Sequence, residues 1–236
     1  TVQVFDVDTA RLVTEWSASY LYSMWFSPNG KHLAINHGLI DIETYESIVN
    51  LDPENGFATF LAWSPDSNLF AINYWFNPEI KIVDANSGKI IQTLRGHKGR
   101  FDTQKWVQWS PENKKLISWS ENGEIFLWDA LNGRQLASQD DHINLSAHAA
   151  FGSDGNLLAT SDALGNISLW NIQTGTLIKT LSEHAEEVDT LLWQPDGNLL
   201  ATQTYYECCG AGSVDTNIIR IWNGDTGSLV DTIARD

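Results

Sequence analysis

A turn sequence that recurs along the whole chain is the feature that most constrains how this protein can fold. An aromatic residue is followed by Ser-Pro, Gly-Ser or Gln-Pro and then by an acidic or amide residue. Turn-forming residues of this kind, with short apolar runs on both sides, separate β-strands. The aromatic positions, spaced 37 to 46 residues apart, are Phe26, Trp63, Trp109, Phe151 and Trp193. This spacing predicts one small structural unit that is repeated several times.

A second recurring feature is an acidic or amide residue that ends an apolar run. Such residues follow Phe5, Ile40, Val83, Trp128, Trp170 and Trp222. Four of the six copies carry a glycine four residues later, namely Gly88, Gly133, Gly175 and Gly227, whereas Ala10 and Tyr45 stand there in the other two. Glycine adopts positive φ without strain, so the pattern predicts a tight turn into the next strand.

Residues 96–129 show the repeated unit most clearly. The segment opens with Gly96-His97, closes with Trp128-Asp129, and contains three short apolar runs separated by turns at 110–113 and 122–123. Three such runs predict an antiparallel meander. A period near 42 residues with four short strands resembles the WD-repeat family of β-propellers, whose pattern places Gly-His between strands d and a and Trp-Asp at the end of strand c.

The resemblance also implies a hydrogen-bond network that this chain completes only in part. In the family, the histidine before strand a often bonds to an aspartate that lies six residues before the tryptophan of strand c. The histidines here are His97, His142 and His184, but the aspartate positions hold Asn122, Leu164 and Thr216. We therefore expect an incomplete histidine–aspartate network in these repeats.

The predicted fold is all-β: a WD-repeat β-propeller with five near-complete four-stranded blades and half a blade. Residues 1–236 are interpreted as one propeller domain, with a half blade at 1–15 and blades at 16–50, 51–95, 96–138, 139–182 and 183–234. The half blade contributes strands c and d, so strands a and b of that blade are missing. The chain also begins with Thr1 rather than Met. We expect it to be part of a larger ring that contacts flanking regions of its own longer chain.

The charge and the cysteines limit the class of partner and the compartment. The formal net charge of −16 disfavours a nucleic acid or an anionic membrane as partner, because both would be repelled. No apolar run approaches the roughly 20 residues of a membrane span, and no signal peptide is visible. Cys208 and Cys209 are adjacent and form no disulfide framework. These features predict a cytoplasmic protein in which neither cysteine is structural.

The sequence contains no convincing constellation for catalysis. Three of the six histidines occupy the structural position of the repeat, and the other three lack metal-ligand spacing with each other or with the cysteines. Neither a Gly-x-Ser-x-Gly turn nor a phosphate-binding loop before a helix is present. We therefore predict a protein that is not an enzyme and has no cofactor or metal.

The candidate binding residues lie in loops on one predicted rim. They are Tyr74, Trp75 and Phe76 in one b–c loop, Lys98 and Arg100 in the following d–a loop, Trp119 in strand b of the third blade, and Tyr205 and Tyr206 in the long insert 204–215. Exposed aromatic residues beside arginine are typical of binding hot spots. Alternatively, the three consecutive aromatics cover the blade interface below, Trp119 fills the core, and the cations pair with nearby acids such as Asp102.

These features favour a non-catalytic scaffold that recognises a protein or a peptide on its loop-bearing rim. A second hypothesis is a ligand-sensing, autoinhibitory propeller of a larger signalling ATPase, and it rests on resemblance alone. A third, a propeller enzyme or a sugar-binding protein, would need a convergent acid/base pair that the sequence does not show.

Overall fold

The computed structural model describes most of the chain. The described residues are 2–16, 24–35, 38–51, 58–74, 77–98, 105–120, 124–139, 148–162, 164–184, 187–204 and 218–234. Within these ranges there are 22 β-strands and no helix. The same ranges contain no helix with the length and apolarity to cross a membrane. The predictions about Trp75, Phe76, Arg100, Tyr205, Tyr206, Cys208 and Cys209 concern residues outside the described ranges.

The chain groups into two compact units, Thr1–Gln104 and Lys105–Asp236, each described by itself. The first unit contains β1 (Val2–Phe5), β2 (Leu12–Trp16), β3 (Met24–Phe26), β4 (His32–Ile35), β5 (Gly38–Asp41), β6 (Ser47–Asn50), β7 (Ala58–Trp63), β8 (Leu69–Tyr74), β9 (Ile80–Asp84) and β10 (Ile90–Leu94). The second contains β11 (Lys105–Trp109), β12 (Lys115–Ser120), β13 (Ile125–Asp129), β14 (Gln135–Gln139), β15 (Ala149–Phe151), β16 (Leu157–Ser161), β17 (Ile167–Asn171), β18 (Thr176–Leu181), β19 (Thr190–Trp193), β20 (Leu199–Thr204), β21 (Ile218–Asn223) and β22 (Ser228–Ala234). The prediction of one domain stays a prediction.

The strands form five four-stranded sheets and one two-stranded sheet, all antiparallel and in sequence order. The two-stranded sheet is β1–β2, and the first to fifth blades are β3–β6, β7–β10, β11–β14, β15–β18 and β19–β22. Within each blade the strands are a, b, c and d in chain order. This arrangement confirms the predicted all-β fold with five four-stranded blades and half a blade.

The turn between strands c and d has the same construction in all six sheets. The side chain at the end of strand c accepts a hydrogen bond from the main-chain N–H three residues later, as in Thr9 N to Asp6 Oδ1 at 2.7 Å and Thr226 N to Asn223 Oδ1 at 2.9 Å. Side-chain acceptors of this type stabilise turns. The hydrogen bonds from Thr9 also hold the pKa of Asp6 below its ordinary value.

The residue that follows this turn has positive φ whether or not it is glycine. Gly88, Gly175 and Gly227 have φ of 66°, 70° and 60°, while Ala10 and Tyr45 have 54° and 61°. The predicted turn geometry is therefore confirmed, and it is kept where the sequence departs from glycine. The turn determines the conformation there, because an alanine or a tyrosine by itself disfavours this region.

The hydrophobic cores lie between successive blades within each unit. In the first unit, Leu39 of the first blade packs with Phe70, Ile72 and Val83 of the second. In the second unit, one cluster joins the third and fourth blades, and another joins the fourth and fifth around Leu169 and Trp222. The flat faces of the sheets are therefore buried against each other, which leaves loops and turns at the surface.

Hydrogen bonds between adjacent blades give two of the tryptophans at the aromatic turn position a structural role. Trp63 Nε1 donates to the carbonyl of Trp25 at 3.2 Å, and Trp193 Nε1 donates to the carbonyl of Ala150 at 2.9 Å. Trp25 and Ala150 each precede the aromatic turn residue of the previous blade by one position. The same contact thus forms once in each unit, and it ties the innermost strand of one blade to that of the blade before it.

Candidate functional site

The b–c loop of the second blade is held at its base by local hydrogen bonds. Tyr74 ends β8, and its carbonyl accepts a hydrogen bond from Asn77 N at 3.1 Å. Asn77 Oδ1 in turn accepts from Glu79 N at 2.9 Å, just before β9 begins. Trp75 and Phe76 stand between the two ends of this turn and lie outside the described residues. The described geometry therefore gives a defined base for the predicted aromatic loop.

An ion pair joins this loop to the end of strand d. Arg95 Nε lies 2.7 Å from Glu79 Oε1, and the arginine side chain is 69% exposed. An exposed pair of this kind contributes about 0–1 kcal/mol to stability. Its structural consequence is positional: the b–c loop and the first residues of the following d–a loop are next to each other. Lys98, three residues further on, is also exposed.

Two predicted site residues are buried. Tyr74 is 3% exposed, belongs to the core of the first unit, and lies beneath the ammonium group of Lys81, whose Nζ is 4.9 Å from the ring centroid. Trp119 is 8% exposed and packs in the core between the third and fourth blades. Neither side chain offers much surface to a partner as it stands. Tyr74 belongs to the first unit and Trp119 to the second.

A polar network surrounds His184, one of the histidines for which the sequence predicts an incomplete histidine–aspartate network. His184 Nε2 lies 2.7 Å from Thr202 Oγ1, which also accepts a hydrogen bond from Trp222 Nε1 at 2.9 Å. Arg220 Nη1 lies 2.7 Å from His184 Nδ1. Because arginine only donates, His184 Nδ1 is the acceptor and Nε2 carries the proton. Burial and the nearby Arg220 charge lower the pKa of His184 to about 4, so the ring is neutral.

The hydrogen bond from the tryptophan of strand c to a hydroxyl of strand b recurs in the other two blades of the second unit. Trp128 Nε1 donates to Ser118 Oγ at 2.8 Å, and Trp170 Nε1 donates to Thr160 Oγ1 at 3.0 Å. The tryptophan of strand c thus meets a hydroxyl of strand b each time. The Leu164 side chain, at a position where the family often has aspartate, is exposed, while Asn122 and Thr216 are outside the described residues. A scaffold role for the repeated histidine is consistent with these contacts.

A small titratable cluster between the fourth and fifth blades was missed in the sequence. It consists of His148, Glu187 and Asp189. Burial lowers the pKa of His148 against an opposing effect of Asp189, and burial together with Asp189 raises the pKa of Glu187. The acidic pair at 187 and 189, just before β19, was the available signal. The sequence alone gives no indication that His148 lies close to this acidic pair.

The described residues provide no metal centre, and one small cavity lies in the second unit. No group of three or more His, Cys, Asp and Glu side chains in the described ranges is arranged to hold a metal ion. A small cavity between the third and fourth blades is lined by Ile125, Leu127, Leu158 and Trp170 and has about 30 Å³ of free volume. That is room for roughly one water molecule, far below the roughly 300 Å³ or more of a typical ligand site.

Comparisons with known proteins identify the repeat. The sequence model of the WD domain, G-beta repeat, matches residues 88–129 and 175–223. A sequence search of curated proteins finds no match. By fold, one similar solved chain belongs to the structure described as "Crystal Structure of Mitotic Checkpoint Complex", with a TM-score of 0.65 and 23% identity over 89% of this chain. The present chain spans 62% of that chain's length.

The repeated antiparallel meanders and the fold similarity define a β-propeller of five four-stranded blades and half a blade. The family model matches two parts of the chain, which confirms the predicted resemblance to WD-repeat proteins. Propellers of this kind generally bind proteins and are typically non-catalytic. In all, 1521 solved chains share the fold, so the fold by itself does not select one function.

Proposed function

We propose that this protein is a non-catalytic scaffold that binds a protein or peptide partner through the loops of the second blade. The binding surface, called here the rim patch, comprises Trp75 and Phe76 of the b–c loop with Arg95, Lys98 and Arg100 of the d–a loop. The observation that carries the proposal is the 2.7 Å contact between Arg95 and Glu79, because it joins these two loops at their bases. Tyr74 is buried in the core and is therefore not proposed to contact the partner.

Charge indicates the chemistry of the partner. On a protein of net charge −16, the rim patch concentrates three cations within six residues of sequence, from Arg95 to Arg100 with Lys98 between them. Such a local field attracts an acidic group and steers its approach, while aromatic side chains supply apolar area. The proposed ligand is therefore an acidic peptide segment with at least one apolar anchor. Nucleic acids and anionic membranes are excluded from the proposal by the overall charge.

The remaining elements of the sequence hypothesis stay predictions. Trp119, Tyr205 and Tyr206 are not part of the rim patch as proposed, and the insert 204–215 is the next candidate surface. A cytoplasmic location and contacts with flanking regions of a longer chain are likewise proposed. The solved structure that resembles this chain is itself a protein complex, which agrees with a protein-binding role. No described residue favours the signalling-ATPase alternative over the scaffold.

The test is a selection of peptides from a random library on the immobilised full chain, followed by affinity measurements. We expect enrichment of acidic peptides with an apolar residue. Trp75→Ala should weaken binding by about 2 kcal/mol, which is roughly 30-fold in Kd, and Arg100→Glu should also weaken it. The matched controls are Phe5→Ala and Arg134→Glu, which change an exposed aromatic and an exposed arginine elsewhere. Equal binding by all four folded variants would place the site outside the rim patch.

A further inference from the structure

Within each unit, neighbouring blades share one recurring contact. A side chain of strand d in one blade lies against the glycine in the c–d turn of the next blade. The strand d residues are Val49, Ala137 and Lys179 of the first, third and fourth blades, and each pairs with the leucine at the same place in strand c. The glycines that they face are Gly88, Gly175 and Gly227. The three contacts can therefore be compared directly.

Two of the three contacts are filled by the hydrocarbon of the strand d side chain. A Cβ placed on Gly88 would lie 2.5 Å from Cβ of Val49, and one placed on Gly227 would lie 2.6 Å from Cδ of Lys179. Lys179 also uses its ammonium group, because Nζ donates to the carbonyl of Gly227 at 2.9 Å and to that of Thr226 at 3.4 Å. A lysine thus fits this contact with both its stem and its charge.

The contact between the third and fourth blades is left open by a small side chain. A Cβ placed on Gly175 would lie 3.7 Å from Cβ of Ala137, where the alanine side chain ends. The cavity of about 30 Å³ lies here, and both residues line it together with Leu127, Leu158 and Trp170. Ala137, Trp170 and Gly175 are only half-buried, so the cavity reaches the surface. Both blades belong to the second unit.

We propose that this cavity binds the side chain of a lysine from a protein or peptide partner. Part of the aliphatic stem enters the cavity, where Val49 and Lys179 place hydrocarbon at the corresponding contacts. The ammonium group donates to the carbonyl of Gly175, as Lys179 donates to that of Gly227. The partner thus supplies the side chain that Ala137 lacks.

The size, lining and charge of the site select a lysine. A volume of about 30 Å³ takes part of an aliphatic chain and excludes a drug-sized molecule. The cavity surface is mostly apolar, so a water inside it would lack hydrogen-bond partners, whereas methylene groups are favoured. A wholly apolar side chain would not supply the donor that the Gly227 carbonyl receives from Lys179. The net charge of −16 also attracts a cation.

The experiment uses n-butylammonium, which has the carbon chain and the charge of a lysine side chain. Added to the full chain with labelled methyl groups, it should shift the NMR signals of Leu127 and Leu158 and saturate with a millimolar Kd. 1-Butanol, which has the chain without the charge, should bind about tenfold more weakly or worse, because it forms no charge-assisted hydrogen bond. A blocked Gly-Ser-Lys-Ser-Gly peptide should cause the same shifts, and its acetyl-lysine form should not.

Variants at Ala137 decide whether the bound ammonium lies in this cavity. Ala137→Lys and Ala137→Val fill the contact from the chain itself, so both should abolish the shifts, and Ala137→Lys should raise the Tm by about 2 °C. Thr180→Lys adds the same charge at an exposed position of β18 and should leave the shifts intact.

Three results would overturn the proposal. They are the absence of shifts with butylammonium, shifts that persist in both folded Ala137 variants, and equal affinity for 1-butanol, which would make the cavity a purely apolar site. Peptide binding at the rim patch is a separate measurement and should be unchanged in Ala137→Lys, because the rim patch belongs to the first unit.

Discussion

Arg220 donates a hydrogen bond from Nη1 to Nδ1 of His184, with 2.7 Å between the two atoms. The contact connects strand c of the fifth blade to the loop before its strand a. It places a permanent positive charge beside an imidazole that is already buried. The result is a histidine that stays neutral well below the pH at which a free histidine becomes charged.

The first prediction concerns the pH dependence of stability. The pKa of His184 is about 4 in the folded protein and near 6.5 in the unfolded chain, so the unfolded chain takes up the proton first as pH falls. The stabilising contribution of neutral His184 is complete above about pH 6.5 and is lost progressively down to about pH 4. Urea unfolding at several pH values measures this slope. His184→Gln should reduce the slope between pH 6.5 and 5, and an unchanged slope would contradict the assignment.

The second prediction tests the acceptor at the centre of the network. Thr202→Val keeps the shape of the side chain but removes the oxygen that meets both His184 and Trp222. Two buried N–H groups then lose their acceptor, so the free energy of unfolding should fall by about 1–3 kcal/mol. Thr180→Val on exposed β18 is the matched control and should stay within about 0.5 kcal/mol. Equal effects in chemical denaturation would show that Thr202 is not a required acceptor.

The third prediction addresses the contact between innermost strands. Trp193→Phe keeps an aromatic ring but removes the N–H that donates to the Ala150 carbonyl. We expect a loss of about 0.5–1.5 kcal/mol from the hydrogen bond, with a further loss from the smaller ring. Trp63→Phe should behave similarly, because it removes the bond to Trp25.

The control for this pair is Trp25→Phe. Trp25 takes part through its main-chain carbonyl, which the substitution leaves in place. Thermal unfolding should therefore separate Trp63→Phe from Trp25→Phe. If Trp25→Phe were as destabilising as Trp63→Phe, ring size rather than the indole N–H would explain the recurrence of tryptophan at the turn.

The fourth prediction separates turn strain from close packing. Gly30 and Gly88 have φ of 72° and 66°, but a Cβ at Gly30 would meet nothing within 4 Å, whereas a Cβ at Gly88 would lie 2.5 Å from Cβ of Val49. Gly30→Ala should cost about 1–2 kcal/mol from backbone strain alone, and Gly88→Ala should cost more. Combining Gly88→Ala with Val49→Gly, which removes that Cβ, should recover part of the difference. Equal losses for the two single variants in urea titrations would contradict a close contact with Val49.

Much of the fold was predictable because the signals that specify it are local. The turn residues, the acidic or amide cap at the end of strand c and the glycine four residues later act within a few positions of one another. Even Ala10 and Tyr45, which lack the glycine, adopt the positive φ of the glycine-containing copies. The sequence by itself therefore determined the strand count, the antiparallel meander and the repeat class.

The tertiary structure decided which groups meet across long separations. No local pattern indicates that Trp193 donates to Ala150, that Arg220 donates to His184, or that Tyr74 is buried under Lys81. Such contacts depend on how neighbouring blades pack, which strand periodicity does not specify. The same holds for Leu192 and Ala150: both occupy the same place in the repeat, but Ala150 is covered by the following blade and Leu192 is exposed. Equivalent residues acquire different environments because burial is set by the neighbouring sheet, not by position in the repeat.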